Sequence, residues 1–86
     1  MTMTAFVLEL YRPGLDRAGG TRLVRSIRRA VAGSDARAIR YGGSTLALRD
    51  EVCYVRIEAS DRAVVERLVA DLAIEGARVS EVVDLG

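Results

Sequence analysis

The side chains best placed to do chemistry lie on two short apolar stretches and recur at every second position. Residues 7–11 carry Glu9 and Tyr11 between apolar neighbours, and residues 52–58 carry Tyr54, Arg56 and Glu58 in the same way. Alternation of this kind places one set of side chains on one side of a β-strand. If the two strands are neighbours, these carboxylates, phenols and guanidinium share one surface. The predicted ligand-binding residues are Glu9, Tyr11, Tyr54, Arg56 and Glu58.

The composition excludes several kinds of catalysis. His, Lys, Asn, Gln and Trp are all absent from the chain. The sequence therefore lacks the commonest general base and metal ligand, and it cannot form a lysine Schiff base. A single cysteine, Cys53, allows neither an intrachain disulfide nor a paired-cysteine metal or redox motif. We expect no catalytic residue, no metal site and no cofactor, and we favour a protein that is not an enzyme.

The charge of the chain is nearly balanced. Thirteen basic residues face twelve acidic ones, which leaves a net charge of +1 and no overall attraction to nucleic acid or membrane. One predicted helix is basic on its outer side, where a solvated face is favoured over a phosphate-binding one; its arginines are Arg22, Arg25, Arg28 and Arg29. Residues 50–58 carry three acids and one aromatic side chain, unlike the basic, aromatic strand of an RNA-recognition motif. We expect no nucleic-acid partner.

Length and hydropathy predict one small cytoplasmic domain. Residues 1–86 are too few for two ordinary domains but enough for one hydrophobic core. No apolar run approaches the roughly 20 residues that cross a bilayer, and the first residues lack a basic and then apolar leader pattern. The lone cysteine also fits a reducing compartment. We therefore expect a cytoplasmic protein with no membrane partner.

The pattern along the chain alternates strands and helices. Apolar or alternating stretches predict strands over residues 5–11, 36–48, 52–58 and 78–85, the second interrupted by a bulge or bend at Gly42-Gly43. Capping hydroxyls at Thr21 and Ser60 predict the starts of two amphipathic helices, which Gly33 and Gly76 end. The order β, α, β, β, α, β predicts a ferredoxin-like α+β fold. In that fold a four-stranded antiparallel sheet has both helices on one face, and the first and third strands are central.

Alternation also predicts which side of the sheet the helices cover. The fully apolar sets, including Phe6, Leu8, Val55 and Ile57, should lie beneath the helices together with Cys53. The mixed sets lie on the other side, which we name the open face; on the two central strands it comprises Val7, Glu9, Tyr11, Val52, Tyr54, Arg56 and Glu58.

The open face supports alternative functions. A second copy of the chain could cover it, with Glu9, Arg56 and Glu58 pairing across strands in a homodimer. The same face could also hold a small organic ligand, on one copy or between two. We favour a homodimer that binds such a ligand. Alternatively, the protein is a cofactor-free enzyme of the dimeric α+β barrel kind, a monooxygenase, cyclase or isomerase. Glu9 or Glu58 would then be the base, with Tyr11 or Tyr54 as hydrogen-bond donor.

A family resemblance adds a further expectation. The stretch Tyr41-Gly-Gly-Ser-Thr-Leu-Ala-Leu-Arg-Asp-Glu-Val-Cys-Tyr-Val-Arg-Ile-Glu-Ala59 resembles a widespread group of small bacterial proteins of unknown function with a ferredoxin-like fold. The resemblance extends to residues 9–14 and 79–82. One member of the group is described as a nickel-binding protein, so the resemblance implies a homodimer that binds a metal or a small ligand. Nickel prefers nitrogen and sulfur ligands, and without His the chain offers only Cys53 and carboxylates.

Overall fold

The computed structural model describes residues 2–86 and confirms the predicted element order. The elements are β1 (Thr4–Tyr11), α1 (Arg17–Ala32), β2 (Ile39–Ala47), β3 (Val52–Ala59), α2 (Arg62–Asp71) and β4 (Arg78–Val82). The four strands form one antiparallel sheet in the order β2-β3-β1-β4. This is the predicted ferredoxin-like α+β arrangement, with β1 and β3 in the centre.

A single hydrophobic core lies between the sheet and the helices. Phe6, Leu8 and Leu10 of β1 are buried, as are Cys53, Val55 and Ile57 of β3. The helices contribute Ile27 and Val31 from α1 and Val65 and Leu68 from α2. The predicted division of β1 and β3 into a helix-covered side and an open side is therefore confirmed.

Helix α1 begins five residues before the predicted start. Asp16 is its N-cap, and the Asp16 carboxylate accepts a hydrogen bond of 2.7 Å from the Gly19 amide. The prediction of Thr21 as the cap is wrong, since its hydroxyl donates to the Arg17 carbonyl inside the helix. Gly20 is buried, and a Cβ there would lie 3.1 Å from a methyl group of Leu46. The glycine therefore lets α1 pack closely against β2.

Helix α2 also differs from the prediction at both ends. Its N-cap is Asp61, whose carboxylate accepts from the Val64 amide at 3.1 Å, so the prediction of Ser60 is wrong. The helix ends at Asp71, before Gly76, which has a φ of 70° in the turn that precedes β4. For α1, the predicted end at Gly33 is confirmed.

Strand β2 contains the predicted bulge. Tyr41 pairs with Ile57 and Gly43 pairs with Arg56, so Gly42 is an extra residue in β2. Gly43 has a φ of 128°, a conformation that side-chain-bearing residues rarely adopt. A Cβ on Gly42 would lie 3.0 Å from Cγ of Arg56, so the bulge makes room for the stem of that side chain.

Two predicted strands are shorter in the structure. Residues 36–38 form a turn, so β2 begins at Ile39, and β4 ends at Val82. Neither helix within residues 2–86 has the length and apolar content needed to cross a bilayer.

Candidate functional site

The five predicted site residues all lie on the open face. Glu9 is directly opposite Tyr54, and the other cross-strand neighbours between β1 and β3 are Val7 with Arg56, Ala5 with Glu58 and Tyr11 with Val52. These pairs alternate with the buried pairs of the core. Four of the five are partly buried, whereas Tyr11 at the end of β1 is 56% exposed. The sheet register therefore brings the predicted residues together on one surface.

Positive and negative groups alternate across the open face. The register places Arg40 of β2 opposite Glu58 and Arg78 of β4 opposite Glu9. Arg56 makes two hydrogen bonds with the Asp84 carboxylate, at 3.0 and 3.3 Å. Each acid of β1 and β3 thus has an arginine beside it in the sheet.

The ion pair of Arg56 is a finding that sequence reasoning missed. The expected partners were Glu9 and Glu58, but the structure pairs Arg56 with Asp84, which follows β4. Arg56 belongs to β3 and β4 lies on the far side of β1, so this contact passes over β1 on the open face. No spacing pattern could reveal it, because the two residues are 28 positions apart and meet only in the folded sheet.

Two pockets lie within residues 2–86, and the central residues of the open face line neither of them. Tyr11 alone reaches one of them, a shallow depression with Arg12, Pro13, Ala73, Glu75 and Gly76. Glu9 and Glu58 are partly exposed and line neither of these pockets. The enzyme alternative, in which either acid acts as a base, stays a prediction.

A larger groove of about 950 Å³ runs between α1 and the edge strand β2. We name it the arginine groove. It is lined by four arginines of α1, by hydroxyl groups and by apolar side chains, which include Arg17, Arg25, Arg28, Arg29, Thr21, Tyr41, Ser44, Thr45, Val24 and Leu46. From the sequence, Arg25, Arg28 and Arg29 are predicted to belong to a solvated face. The structure places them along a concave surface, whereas Arg22 lies outside the lining.

An aromatic ring positions one of these arginines. The Arg28 guanidinium lies 5.0 Å from the centre of the Tyr41 ring, within the range of a cation–π interaction. Tyr41 in turn packs against the core, and its hydroxyl donates a hydrogen bond of 2.8 Å to Oγ of Ser44. Core packing restrains the Tyr41 ring and the hydrogen bond to Ser44 restrains its hydroxyl. Arg28 therefore stacks on an aromatic ring with a fixed position.

The arginine groove is strongly positive because no acid offsets its charges. Within residues 2–86 the ion pairs join Arg37 to Asp35, Arg56 to Asp84 and Arg62 to Glu66. None of them involves an arginine of the groove, and the groove lining contains no acidic side chain.

Cys53 and the acidic residues do not form a metal site. The Cys53 side chain is 1% exposed, and burial raises the pKa of its thiol, which disfavours the thiolate that metals bind. In the part of the chain that the structure describes, no three His, Cys, Asp or Glu side chains come together as a metal-binding group. The residues present therefore do not fit the nickel that the family resemblance implies.

Comparison with known proteins assigns no relative. No protein-family model, no curated protein and no solved structure matches this chain. The resemblance to a bacterial family stays a prediction. Any function must therefore be inferred from the two surfaces of the fold, the balanced open face and the basic arginine groove.

Proposed function

We propose that the protein is a cytoplasmic, non-catalytic binding module that works as a homodimer joined through its open faces. The charge arrangement of the open face is the observation that carries this proposal. A twofold interface brings a surface against its own copy, so a surface with one sign of charge would repel itself. The open face instead alternates arginines and acids, with Arg40 beside Glu58 and Arg78 beside Glu9.

Apolar side chains on the same face supply the second support. Val7, Val52 and Tyr54 are only partly buried, and no element within residues 2–86 packs over them as the helices pack over the other side. Removal of such side chains from water stabilises an association by about 25 cal/mol for each Å² of apolar surface. Ion pairs between charged residues of the two copies would then fix the relative orientation of the copies more than they would raise the affinity.

The size of the face is sufficient for a small specific interface. Four strands about 4.8 Å apart, with roughly seven residues of about 3.3 Å each, present a projected area on the order of 450 Å². Side chains that project from the sheet increase its accessible area, so two copies would bury about 1,000 Å² or more, which is about the minimum for a biological interface. A small organic ligand between the two faces stays a prediction.

The test is the oligomeric state of the wild type and of a variant in the centre of the open face. Val7 lies between Arg56 and Ser80 in the register, so Val7→Arg places a second positive side chain beside Arg56 in the centre of the open face. We expect a dimer for the wild type and a monomer for Val7→Arg in sedimentation-velocity and light-scattering measurements. Ala63→Arg, on the exposed side of α2, is the matched control and should remain dimeric.

Two further measurements make the result decisive. Circular dichroism should show that both variants are folded, so that loss of the dimer is not loss of the fold. Native mass spectrometry of the wild type reports any molecule retained between the copies. A wild-type protein that stays monomeric at all concentrations, or a Val7→Arg variant that stays dimeric, would contradict the proposal.

A further inference from the structure

We propose that the arginine groove binds a phosphorylated small molecule, with its phosphate on Arg25, Arg28 and Arg29 and its organic part over Val24 and Leu46. This site is separate from the proposed dimer interface, because these groove residues lie between α1 and the helix-covered side of β2. The inference goes beyond the dimer and does not depend on it.

The spacing of the arginines along α1 concentrates positive charge in one place. Arg25 is three residues from Arg28 and four from Arg29, so its side chain leaves the helix about 5–6 Å from each of the other two. Like charges at these spacings destabilise a helix, and α1 contains no acid that would relieve them. A bound anion with several negative oxygens would remove this repulsion.

The stacking of Arg28 on Tyr41 suits the recognition of phosphate. A guanidinium that lies over an aromatic ring uses its face for the stacking contact and leaves its N–H edge available. This edge can donate two parallel hydrogen bonds to phosphate oxygens. Because Tyr41 is fixed by the core and by Ser44, Arg28 loses little conformational freedom when it binds.

The shape of the groove favours a small molecule over a polymer. Its volume of about 950 Å³ lies within the size range of small-molecule sites, and Val24 and Leu46 supply an apolar surface beside the arginines. Arg17 and Arg28 are eleven residues apart on α1, which corresponds to a groove length of roughly 16 Å. A nucleic acid or an anionic membrane would instead need positive charge over a wider surface, and the chain has a net charge of only +1.

The first experiment compares organic phosphates with the inorganic anions that carry the same number of phosphates. The probes are ATP with tripolyphosphate, flavin mononucleotide with phosphate, and farnesyl diphosphate with pyrophosphate, measured by isothermal titration calorimetry. We expect at least one organic phosphate to bind about tenfold more tightly than its inorganic counterpart. Equal affinities in all three pairs would overturn the role of the apolar surface, and absence of binding by every probe would overturn the site.

The second experiment locates the site with matched variants of α1. Arg28→Gln should weaken binding of the best probe by about tenfold or more, because it removes charge-assisted hydrogen bonds. Arg28→Lys keeps the positive charge but lacks the planar guanidinium that can donate two parallel hydrogen bonds. We expect it to bind the probe several-fold more weakly than the wild type. Arg22→Gln is the control on the same helix outside the groove, and it should change the affinity by less than about twofold. Equal losses for Arg22→Gln and Arg28→Gln would mean diffuse attraction and would overturn the site.

Further measurements separate this proposal from its alternatives. Unliganded thermal unfolding checks that each variant folds, and amide chemical shifts of the wild type should change in α1 and β2 when the probe is added. Tighter binding to single-stranded DNA or to phosphatidylserine vesicles than to every small probe would overturn the choice of ligand. The Val7→Arg variant should bind the best probe as the wild type does, so failure of the dimer would not affect this test.

Discussion

At the scale of single residues, the backbone of Gly43 fixes the course of β2. Its φ of 128° lies in a region that L side chains rarely adopt, and it directly follows the extra residue Gly42. Gly33, by contrast, has a φ of −83°, and a Cβ there would meet only backbone oxygens at 3.7 Å. The backbone at position 43 therefore requires glycine, whereas the backbone at position 33 would accept alanine.

Substitution of each glycine by alanine should change stability in opposite directions. Gly43→Ala forces a side chain into a strained conformation, and we expect the free energy of unfolding to fall by about 1–3 kcal/mol. Gly33→Ala should leave it unchanged or raise it by up to about 1 kcal/mol, because alanine restricts the unfolded chain. Urea denaturation of both variants provides the measurement. A Gly43→Ala variant as stable as the wild type would show that the bulge tolerates a side chain.

The single-residue predictions from the sequence succeed where local alternation decides the outcome. Cys53 and Val55 alternate with Tyr54 in a strand, and this pattern alone places the first two in the core and the third on the open face. The partner of Arg56 could not be predicted in this way. The sheet order brings the end of β4 within reach of the Arg56 side chain on the other side of β1. No local sequence pattern contains that order.

At the scale of elements, α1 shows how a glycine pair can mislead. Gly19-Gly20 resembles a loop, and Thr21 after it resembles a cap, so the sequence suggests a late helix start. The structure begins α1 at Arg17, because Asp16 caps the helix and the missing side chain of Gly20 allows contact with Leu46. Tertiary packing here outweighs the low helix propensity of glycine.

Alanine substitutions at the two candidate caps distinguish these starts of α1. Asp16→Ala removes the acceptor of the Gly19 amide, and we expect a loss of about 0.5–2 kcal/mol in the free energy of unfolding. Thr21→Ala, the matched control, removes only a hydroxyl bonded within the helix and should change it by less than about 0.5 kcal/mol. Chemical denaturation followed by circular dichroism gives both values. A larger loss for Thr21→Ala would place the helix start where the sequence suggested.

The arginine groove also belongs to the scale of elements. The basic character of α1 is visible in the sequence, but charge alone does not indicate a concave surface, so the sequence predicts a solvated face. The groove arises when α1 packs against β2 and brings Arg28 over Tyr41, thirteen positions away in the chain. Only the packing of a helix on an edge strand reveals this concave surface.

At the scale of the whole molecule, the segment after β4 lies at the edge of the sheet and contacts the open face through Asp84. The Arg56–Asp84 pair holds this segment against the sheet, and its apolar neighbours Val83 and Leu85 are 77% and 96% exposed. The pair itself contributes little to stability, because Asp84 is largely exposed to solvent. Val83 and Leu85 flank Asp84 at the edge of the sheet, where a second copy that covers the open face and reaches past its edge would bury them as well.

The role of this segment can be tested in the dimer proposed above. Replacement of Val83 and Leu85 by serine should raise the dimer dissociation constant by about tenfold or more, since burial of each side chain contributes roughly 1.5–3 kcal/mol. The stability of the monomeric Val7→Arg background should change by less than about 0.5 kcal/mol, because neither side chain belongs to the core. Leu48→Ser, an exposed apolar position in the turn between β2 and β3, serves as the control for sedimentation equilibrium. If the double variant and the wild type dimerise with equal affinity, the segment lies outside the interface and the sheet face alone must supply the contact.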